Sequence, residues 1–442
     1  MTDLSAINTA KIQDFVNKTI TVSGKQASLL VKDIIIDDNP ISRFCESVCQ
    51  NIGQNLKILF VTSQNFQSLA QDLKDYFEAK GFLGQLYLIP EIRVELKTAR
   101  KLASSKQDDI RVIIGIGDKN AIEAAKIASS LCSLPLALYY ATPECDGALT
   151  GYAQAYHNNV KELFETLCAS VVCVDMSSIS KCSQDYIGSG LGMLASKYLA
   201  LFDWYFSHVF SLQKFDYRIC EAALSILNCF LKFSPELLKK EKTAYFELIQ
   251  TQLKISALAQ LSQSTALMGG GHTGALNVLE MFFHKENRPL RIEGENLFLC
   301  SKIIMRAYKL WLSNLKSGDF VCPPDNTLRL EKFTDYLGIG ELAALDKILV
   351  LDDYEQWEIM QYKWAEYNQD LNKKIARYSN YFEKYERAFK RVYDDAGFWT
   401  TKYLTDADIM LMIGLAPDTL KSFCLISFVK LTGQLDKYLE GV

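Results

Sequence analysis

Histidine is scarce in this chain: His157, His208, His272 and His284 are the four in 442 residues. A site that needs several imidazoles has few to draw on. A basic block is also absent. The net charge is −4 with no clustered Lys or Arg, so a nucleic-acid or anionic-membrane partner is not suggested. No apolar run reaches membrane-spanning length without a charge; the longest candidate, residues 191–210, is interrupted by Lys197 and Asp203. The twelve cysteines form no paired framework, and Cys45/Cys49 and Cys168/Cys173 lack zinc spacing. Residues 1–26 are polar, so no signal peptide is expected. Free thiols in a reducing cytosol, and hence a cytoplasmic protein, fit this usage. Internal repeats and low-complexity segments are missing, and so is a complete G-x-G-x-x-G.

The composition that remains is globular, 49% apolar and 23% charged, and the length allows a large core and two domains. After a polar leader, residues 19–22, 28–31 and 34–36 are β-rich. A helix over 40–51 follows. Strands at 56–62, 84–89, 110–115 and 136–140 then alternate with helices near 69–80, 94–102 and 119–126. That alternation predicts a parallel α/β sheet over residues 55 to about 180. From about residue 180 the pattern turns helical, with helices expected at 185–204, 216–232, 236–266, 274–283, 295–315, 354–393 and within 405–439. Trp357, Trp364, Leu371, Tyr378, Tyr385 and Val392 recur every seven residues, a packing stripe rather than a binding box, with Gly397 expected to end it. The expected domains are an α/β nucleotide-binding-like domain, 1–180, and an all-helical domain, 181–442, with a cleft lined by both.

Two glycine turns carry candidate chemistry. Gly115-Ile116-Gly117-Asp118-Lys119-Asn120 follows a strand and opens a helix, a setting in which backbone amides hold a diphosphate. A plain β–α turn explains the same residues, and Asp118 puts a negative charge where the anion would sit. Ligands of open sheets bind beyond the carboxyl ends of strands. The turns at 62–65, 115–120 and 142–147 are therefore expected to share a crevice, with Ser63, Gly115, Gly117, Asp118, Lys119, Asn120 and Thr142 as candidate cofactor contacts. The second turn, Gly269-Gly270-Gly271-His272, leads into an apolar helix. Its histidine has the place to bind a metal or move a proton, although a flexible loop with a polar cap accounts for it too.

The ordered motifs are Gly-Ile-Gly, Thr142-Pro143-Glu144-Cys145-Asp146-Gly147, Gly190-Leu191-Gly192, Asp203-Trp204, Gly-Gly-Gly-His, Arg288-Pro289 and Gly294-Glu295. Together they resemble the superfamily of iron-containing alcohol dehydrogenases and 3-dehydroquinate synthases, and within it sn-glycerol-1-phosphate dehydrogenase. The resemblance covers roughly residues 55–310. It implies a Rossmann-like parallel-sheet domain followed by a helical one, with a small phosphorylated polyol as ligand. It also implies NAD or NADP as cofactor, and zinc or iron to polarise the substrate oxygen. Asp146 and Lys197 fall at substrate-orienting positions. The metal positions fall on His272 and Glu293, with Met193 where the family has a carboxylate ligand. A thioether is a poor ligand for hard ions. The family's additional histidine falls on Leu276 or Asn277, and His284 is a conceivable replacement ligand.

The nucleotide turn departs as well. Asp118 and Lys119 stand where the family has glycines, and Ser63 stands where it often has an acidic residue for the ribose. These substitutions predict altered or lost activity, with binding of both cofactors in doubt; an active oxidoreductase on a small (phospho)polyol is the alternative. A homo-oligomer is compatible with the sequence.

Overall fold

The structure is a computed structural model of the full chain. It describes all residues except Met1, Ser23, 91–92, 106–108, 158–159, 316–353, 394–402, 421–422, 433–434 and 436–442. By its internal packing the chain divides into two units. The first comprises Met1–His157, Lys161–Gly190 and Arg218–Gln263; the second comprises Asn158–Val160, Leu191–Tyr217 and Ser264–Val442.

The first unit is built on six parallel strands. Chain order begins with short strands β1 (Thr2–Asp3), β2 (Ile20–Val22) and β3 (Lys25–Ala27), which form a small separate sheet. The main sheet takes β4 (Asp33–Asp37), β5 (Lys57–Ser63), β6 (Leu83–Ile89), β7 (Ile110–Gly117), β8 (Leu136–Tyr140) and β11 (Val171–Asp175), in the spatial order β4-β11-β8-β7-β5-β6. Strands β9 (Tyr152–His157) and β10 (Val160–Glu165) pair with each other. Helices α1 (Ile41–Asn51), α2 (Gln67–Ala79), α3 (Leu96–Ser105) and α4 (Lys119–Cys132) connect the strands, and α5 (Met176–Lys181) follows the last of them. The expected parallel α/β sheet is therefore present.

Three details differ from the sequence reading. The sheet starts earlier than residue 55, because β4 pairs in parallel with β11 from Asp33↔Val171 to Asp37↔Asp175. Residues 28–31 are irregular, not a strand: Leu29 and Val31 are buried while Leu30 is exposed, and local β propensity did not secure a partner. Strands β9, β10 and β11 lacked a legible signal, since β11 is a short apolar run that periodicity alone does not assign.

Alternation organises the core. Val112, Ile114 and Ile116 of β7 join Phe44, Phe60, Phe77 and Tyr139 on one face of the sheet. The rings of Phe44, Phe60 and Phe82 each lie 5.2–5.9 Å from Phe77, the spacing of favourable edge and tilted pairs. On the other face Gly115 lets α4 approach closely: a Cβ there would lie 2.7 Å from the Cβ of Ala125. Both faces of β7 are buried, as expected of a central parallel strand.

The sheet has a switch point between β5 and β7. From β5 the chain runs outward to β6, then returns on the opposite side of β5 as β7, β8 and β11. This is where open α/β sheets place ligands, beyond the strands' carboxyl ends.

Helix α6 (Gln184–Val209) begins in the first unit and continues in the second. Helices α7 (Tyr217–Phe230), α8 (Ser234–Leu238) and α9 (Lys242–Ser262) follow. The single helix expected at 236–266 is broken, since Lys240 takes a left-handed φ of 55° that no helix continues through. The second unit adds α10 (Gly271–Lys285), α11 (Glu293–Asn314), and the helices Tyr354–Tyr393, Asp406–Leu415 and Leu425–Leu431. Trp364, Leu371, Tyr378 and Tyr385 are all buried, so the seven-residue stripe is a packing face. Phe382 stacks on Phe298 at 5.3 Å, and Trp364 on Phe428 at 5.0 Å. The side chains of Trp357 and Val392, and all of Gly397, lie outside what the structure describes.

The close approach at Gly115 yields a test. In Gly115→Ala the new methyl meets another Cβ rather than a flexible side-chain end, so α4 must shift. Overpacking of this kind costs about 1–3 kcal/mol. Urea unfolding of wild type and variant measures it; an unchanged midpoint would show that α4 does not pack against β7 as described.

Candidate functional site

The β7–α4 turn sits at the switch point, and its anion-binding amides are already engaged. Gly117 has φ +108°, a conformation that favours glycine. A Cβ at Gly117 would also lie 2.7 Å from Cγ of Phe66, so the Phe66 ring covers the turn. Phe66 in turn meets Tyr186 edge-on at 6.4 Å. Asp118 is the N-cap of α4: its Oδ1 accepts the Ala121 N–H at 3.0 Å. Its other oxygen accepts the Ser63 hydroxyl at 2.7 Å. A capping carboxylate satisfies amides that a bound phosphate would use. Burial pushes the Asp118 carboxyl up, while the bonds from Ala121, Ser63 and Asn120 hold it down. The structure thus brings Ser63, Gly117 and Asp118 together, pairing Ser63 with Asp118. Lys119 and Asn120 open α4, half-buried. Gly115 lies under α4, where packing accounts for it.

Thr142 follows β8 beside this turn, since the Ala141 N–H donates to the Gly117 carbonyl at 3.0 Å. Its loop is clamped from within the first unit. The Gln252 amide donates to the carbonyls of Pro143 and Gly190 at 2.8 and 2.9 Å and accepts the Cys145 N–H at 2.7 Å. Ser189 donates to Glu144 at 2.6 Å, and Ser256 accepts the Leu149 N–H at 2.8 Å. Buried Lys126 donates to the Gly147 carbonyl at 3.1 Å and to the Tyr152 carbonyl. Burial lowers the Lys126 ammonium, partly offset by Glu123 and Asp146. Asp146 is buried in this loop. Gln252, Lys126 and Phe66 escaped the sequence reading, because nothing in their local pattern separates a clamp from a helix face.

The Gly-Gly-Gly-His turn lies in the second unit. Its glycines are explained by an internal carboxylate. Asp203 of α6 accepts the Gly271 N–H at 2.7 Å, the Leu425 N–H at 3.3 Å and the Tyr308 hydroxyl at 3.3 Å. A Cβ at Gly270 would run into Asp203, and one at Gly271 into the Tyr308 oxygen. One buried side chain therefore caps two helix starts. Burial raises the Asp203 carboxyl to about 7, against the lowering effect of these three donors. The sequence did hold a signal for it: an aspartate within an apolar stretch.

His272 is the second residue of α10 and fully buried. Neither ring nitrogen has a hydrogen-bond partner among the described residues. Burial holds its imidazole down to about 3, and the Lys197 charge pushes the same way. The ring is neutral at ordinary pH. Met193 and Lys197 are both 1% exposed and one turn apart on α6. Glu293 begins α11 and is half-buried. A Cβ at Gly192 would run into the Gly294 carbonyl oxygen, so α6 touches the start of α11 beside Met193. Leu276 and Asn277 are buried in α10. His284 is exposed in its last turn, about 18 Å along the axis from His272, so it does not supply a replacement ligand.

These residues do not fit a zinc or iron ion. The orphaned imidazole is a suitable donor, but Met193 offers a neutral thioether, which is not among the Cys, His, Asp and Glu side chains that hold zinc. Lys197 adds a cation within electrostatic reach of His272. Among the described residues no three His, Cys, Asp or Glu side chains are grouped to hold a metal.

Asp203 generates a pH prediction. Its folded value lies above the ordinary 3.8, so its contribution to stability is full below about pH 4 and is lost as pH rises through about 7. Asp203→Asn removes that dependence while keeping an oxygen for the Gly271 N–H. The stability of wild type relative to Asp203→Asn should fall between pH 4 and 7, by at most about 1.4 kcal/mol per pH unit. Parallel denaturation curves across that range would refute the assignment.

No protein-family profile matches the chain. Among curated proteins it is 19% identical over 288 residues to a glycerol-1-phosphate dehydrogenase [NAD(P)+] of Geobacillus thermodenitrificans, covering 63% of this chain and 71% of the relative. To the enzyme of the same name from Methanosarcina barkeri it is 21% identical over 187 residues, 42% of this chain and about half, 52%, of that one. Among solved structures, glycerol dehydrogenase from Schizosaccharomyces pombe superposes with a TM-score of 0.58 at 13% identity, covering 92% of this chain and 90% of the other. An iron-containing alcohol dehydrogenase from Corynebacterium glutamicum gives 0.52 at 13% identity, over 94% and 95%. The chain is thus similar in sequence to the glycerol-1-phosphate dehydrogenases and has the fold of the iron-containing alcohol dehydrogenases.

Proposed function

We propose that this chain is a divergent glycerol-1-phosphate-dehydrogenase-like protein whose family reaction is altered or lost. That reaction is the NAD(P)-dependent, metal-assisted interconversion of a polyol phosphate and its ketone. In this reading the chain is cytoplasmic and keeps a site for a small phosphorylated polyol or nucleotide. An α/β domain, 1–180, and a helical domain, 181–442, divide the work, with Asp146 and Lys197 facing the ligand. Among the described residues no helix is long and apolar enough to cross a membrane.

The observation that carries the reading is Asp118. Its carboxylate caps α4 and accepts from Ser63 at the sheet's switch point. A dinucleotide diphosphate approaching this turn meets a like charge and finds its amides taken. One unit charge facing another at about 4 Å costs roughly 1–4 kcal/mol, depending on the local dielectric. Affinity falls about tenfold per 1.4 kcal/mol.

Calorimetry with NAD and NADP tests this. Binding by the unmodified protein should be weak or undetectable, with partial recovery in the double variant Asp118→Gly with Lys119→Gly. Micromolar binding by the unmodified protein, lost on Lys119→Ala, would overturn the reading and favour the alternative, an active NAD(P)-dependent oxidoreductase on a small (phospho)polyol.

A further inference from the structure

The main sheet ends on β4 at one side and on β6 at the other, and the chain treats these edges differently. β4 begins at Asp33, ends at Asp37 and packs against the short helix Ile12–Phe15. Charge and cover are common protections of an edge strand against pairing with another chain. β6 carries no charge. Residues 81–90 read Gly-Phe-Leu-Gly-Gln-Leu-Tyr-Leu-Ile-Pro, without Asp, Glu, Lys or Arg. Within this run Leu83 is 62% and Leu88 37% exposed.

The pairing with β5 fixes which backbone groups of β6 face outward. The Leu83 N–H donates to the Leu56 carbonyl at 3.2 Å, and the strands keep register from Lys57↔Leu83 to Ser63↔Ile89. In a parallel ladder alternate residues turn both backbone groups to the same neighbour. Leu83, Gln85, Tyr87 and Ile89 therefore bond to β5, while Gly84, Leu86 and Leu88 point away from it. The outward Gly84 N–H donates to Glu78 Oε1 at 3.2 Å, and Lys74 Nζ lies 2.8 Å from the same oxygen. Leu86 and Leu88 have no such partner among the described residues. Pro90 follows the strand and has no N–H to offer. The open window thus runs from Leu86 to Leu88, between a capped glycine and a proline.

We propose that β6 pairs antiparallel with β6 of a second copy of this chain, about a two-fold axis at Tyr87, and so continues the sheet across a homodimer. In that register Leu86 of each copy lies opposite Leu88 of the other. Residues opposed in this way exchange both N–H···O=C bonds, so every open group of the window finds a partner. Gly84 falls opposite Pro90: the glycine N–H stays with Glu78, and the proline needs no acceptor. A two-fold interface must be self-complementary, and this window is. The absence of charge along residues 81–90 leaves nothing to repel the second copy, and pairing withdraws the exposed Leu88 from water.

The test measures the mass of the full-length protein by sedimentation equilibrium at micromolar concentration. The expected mass is twice that of the 50.0 kDa chain. Leu88→Pro deletes an outward N–H at a place where edge strands tolerate proline. Leu83→Lys with Leu88→Lys charges the edge without touching a buried residue. Each should raise the dimer dissociation constant at least about tenfold while circular dichroism stays unchanged. Leu30→Lys, at an exposed leucine outside β6, should leave it unaltered. Amide hydrogen exchange adds a readout on the unmodified protein: the Leu86 and Leu88 N–H groups should exchange slowly in the dimer and faster on dilution to monomer.

A monomeric unmodified protein at these concentrations would overturn the proposal. So would a dimer that survives in both folded variants, or one in which the Leu86 and Leu88 amides exchange as fast as in the monomer. If a variant does not fold, the exchange rates of the unmodified dimer still decide.

Discussion

A buried carboxylate that accepts backbone N–H groups at the start of a helix is the interaction on which both candidate half-sites depend. Asp118 does this for α4, Asp175 for α5 and Asp203 for α10 and the Leu425–Leu431 helix. At Asp175 the carboxylate accepts the N–H groups of Ser177 and Ser178 at 2.9 and 3.1 Å, and the Tyr139 hydroxyl at 2.9 Å. Helix starts carry unsatisfied donors and a partial positive charge. A chain that fills them from within gains stability and loses a place for an anion.

That exchange gives the glycines a different meaning. Gly270 and Gly271 lead into a helix in the manner of a ligand-binding loop, yet the group pressed against them is the chain's own Asp203, with Tyr308 behind it. Gly117 adopts a left-handed backbone beneath the Phe66 ring. In each case close approach is the reason for glycine, as expected, and the approaching group belongs to the protein. Buried polar groups that are not satisfied in this way then stand out. His272 is the clearest, since both of its ring nitrogens lack a partner among the described residues, against the general rule that buried polar atoms are hydrogen-bonded.

The charges along α6 follow from the same economy of partners. Burying a charged side chain is costly unless it is paired or hydrogen-bonded. Asp203 offsets part of that cost with three donors, and burial still raises its carboxyl to about 7. Lys197 is also buried, one turn from Met193, and its charge helps to lower the His272 imidazole. These two residues are also the ones that interrupt the chain's longest apolar stretch, so the membrane criterion and the site chemistry turn on the same side chains.

Much of the architecture was legible in the sequence because it rests on periodicity. Alternating apolar strands and amphipathic helices follow from periods of 2 and 3.6, and β5, β7, β8 and the 354–393 helix lie where those periods placed them. The buried stripe of Trp364, Leu371, Tyr378 and Tyr385 was legible for the same reason. The ordered glycine, histidine and aspartate motifs pointed to the fold across long gaps, and Asp118 could be read as an intruder in an anion-binding turn. What the sequence did not carry were the partners. Nothing local says that Ser63 donates to Asp118 across 55 residues, that Gln252 clamps the 143–145 loop from more than 100 residues away, or that Asp203 reaches Gly271 and Leu425. Residues 28–31 had strand propensity and no strand, while β4 joined the sheet by pairing with β11, far along the chain. Periodicity is a property of neighbours in sequence and is written there. Pairing of hydrogen-bond donors with acceptors is a property of neighbours in space, and only the tertiary structure decided it.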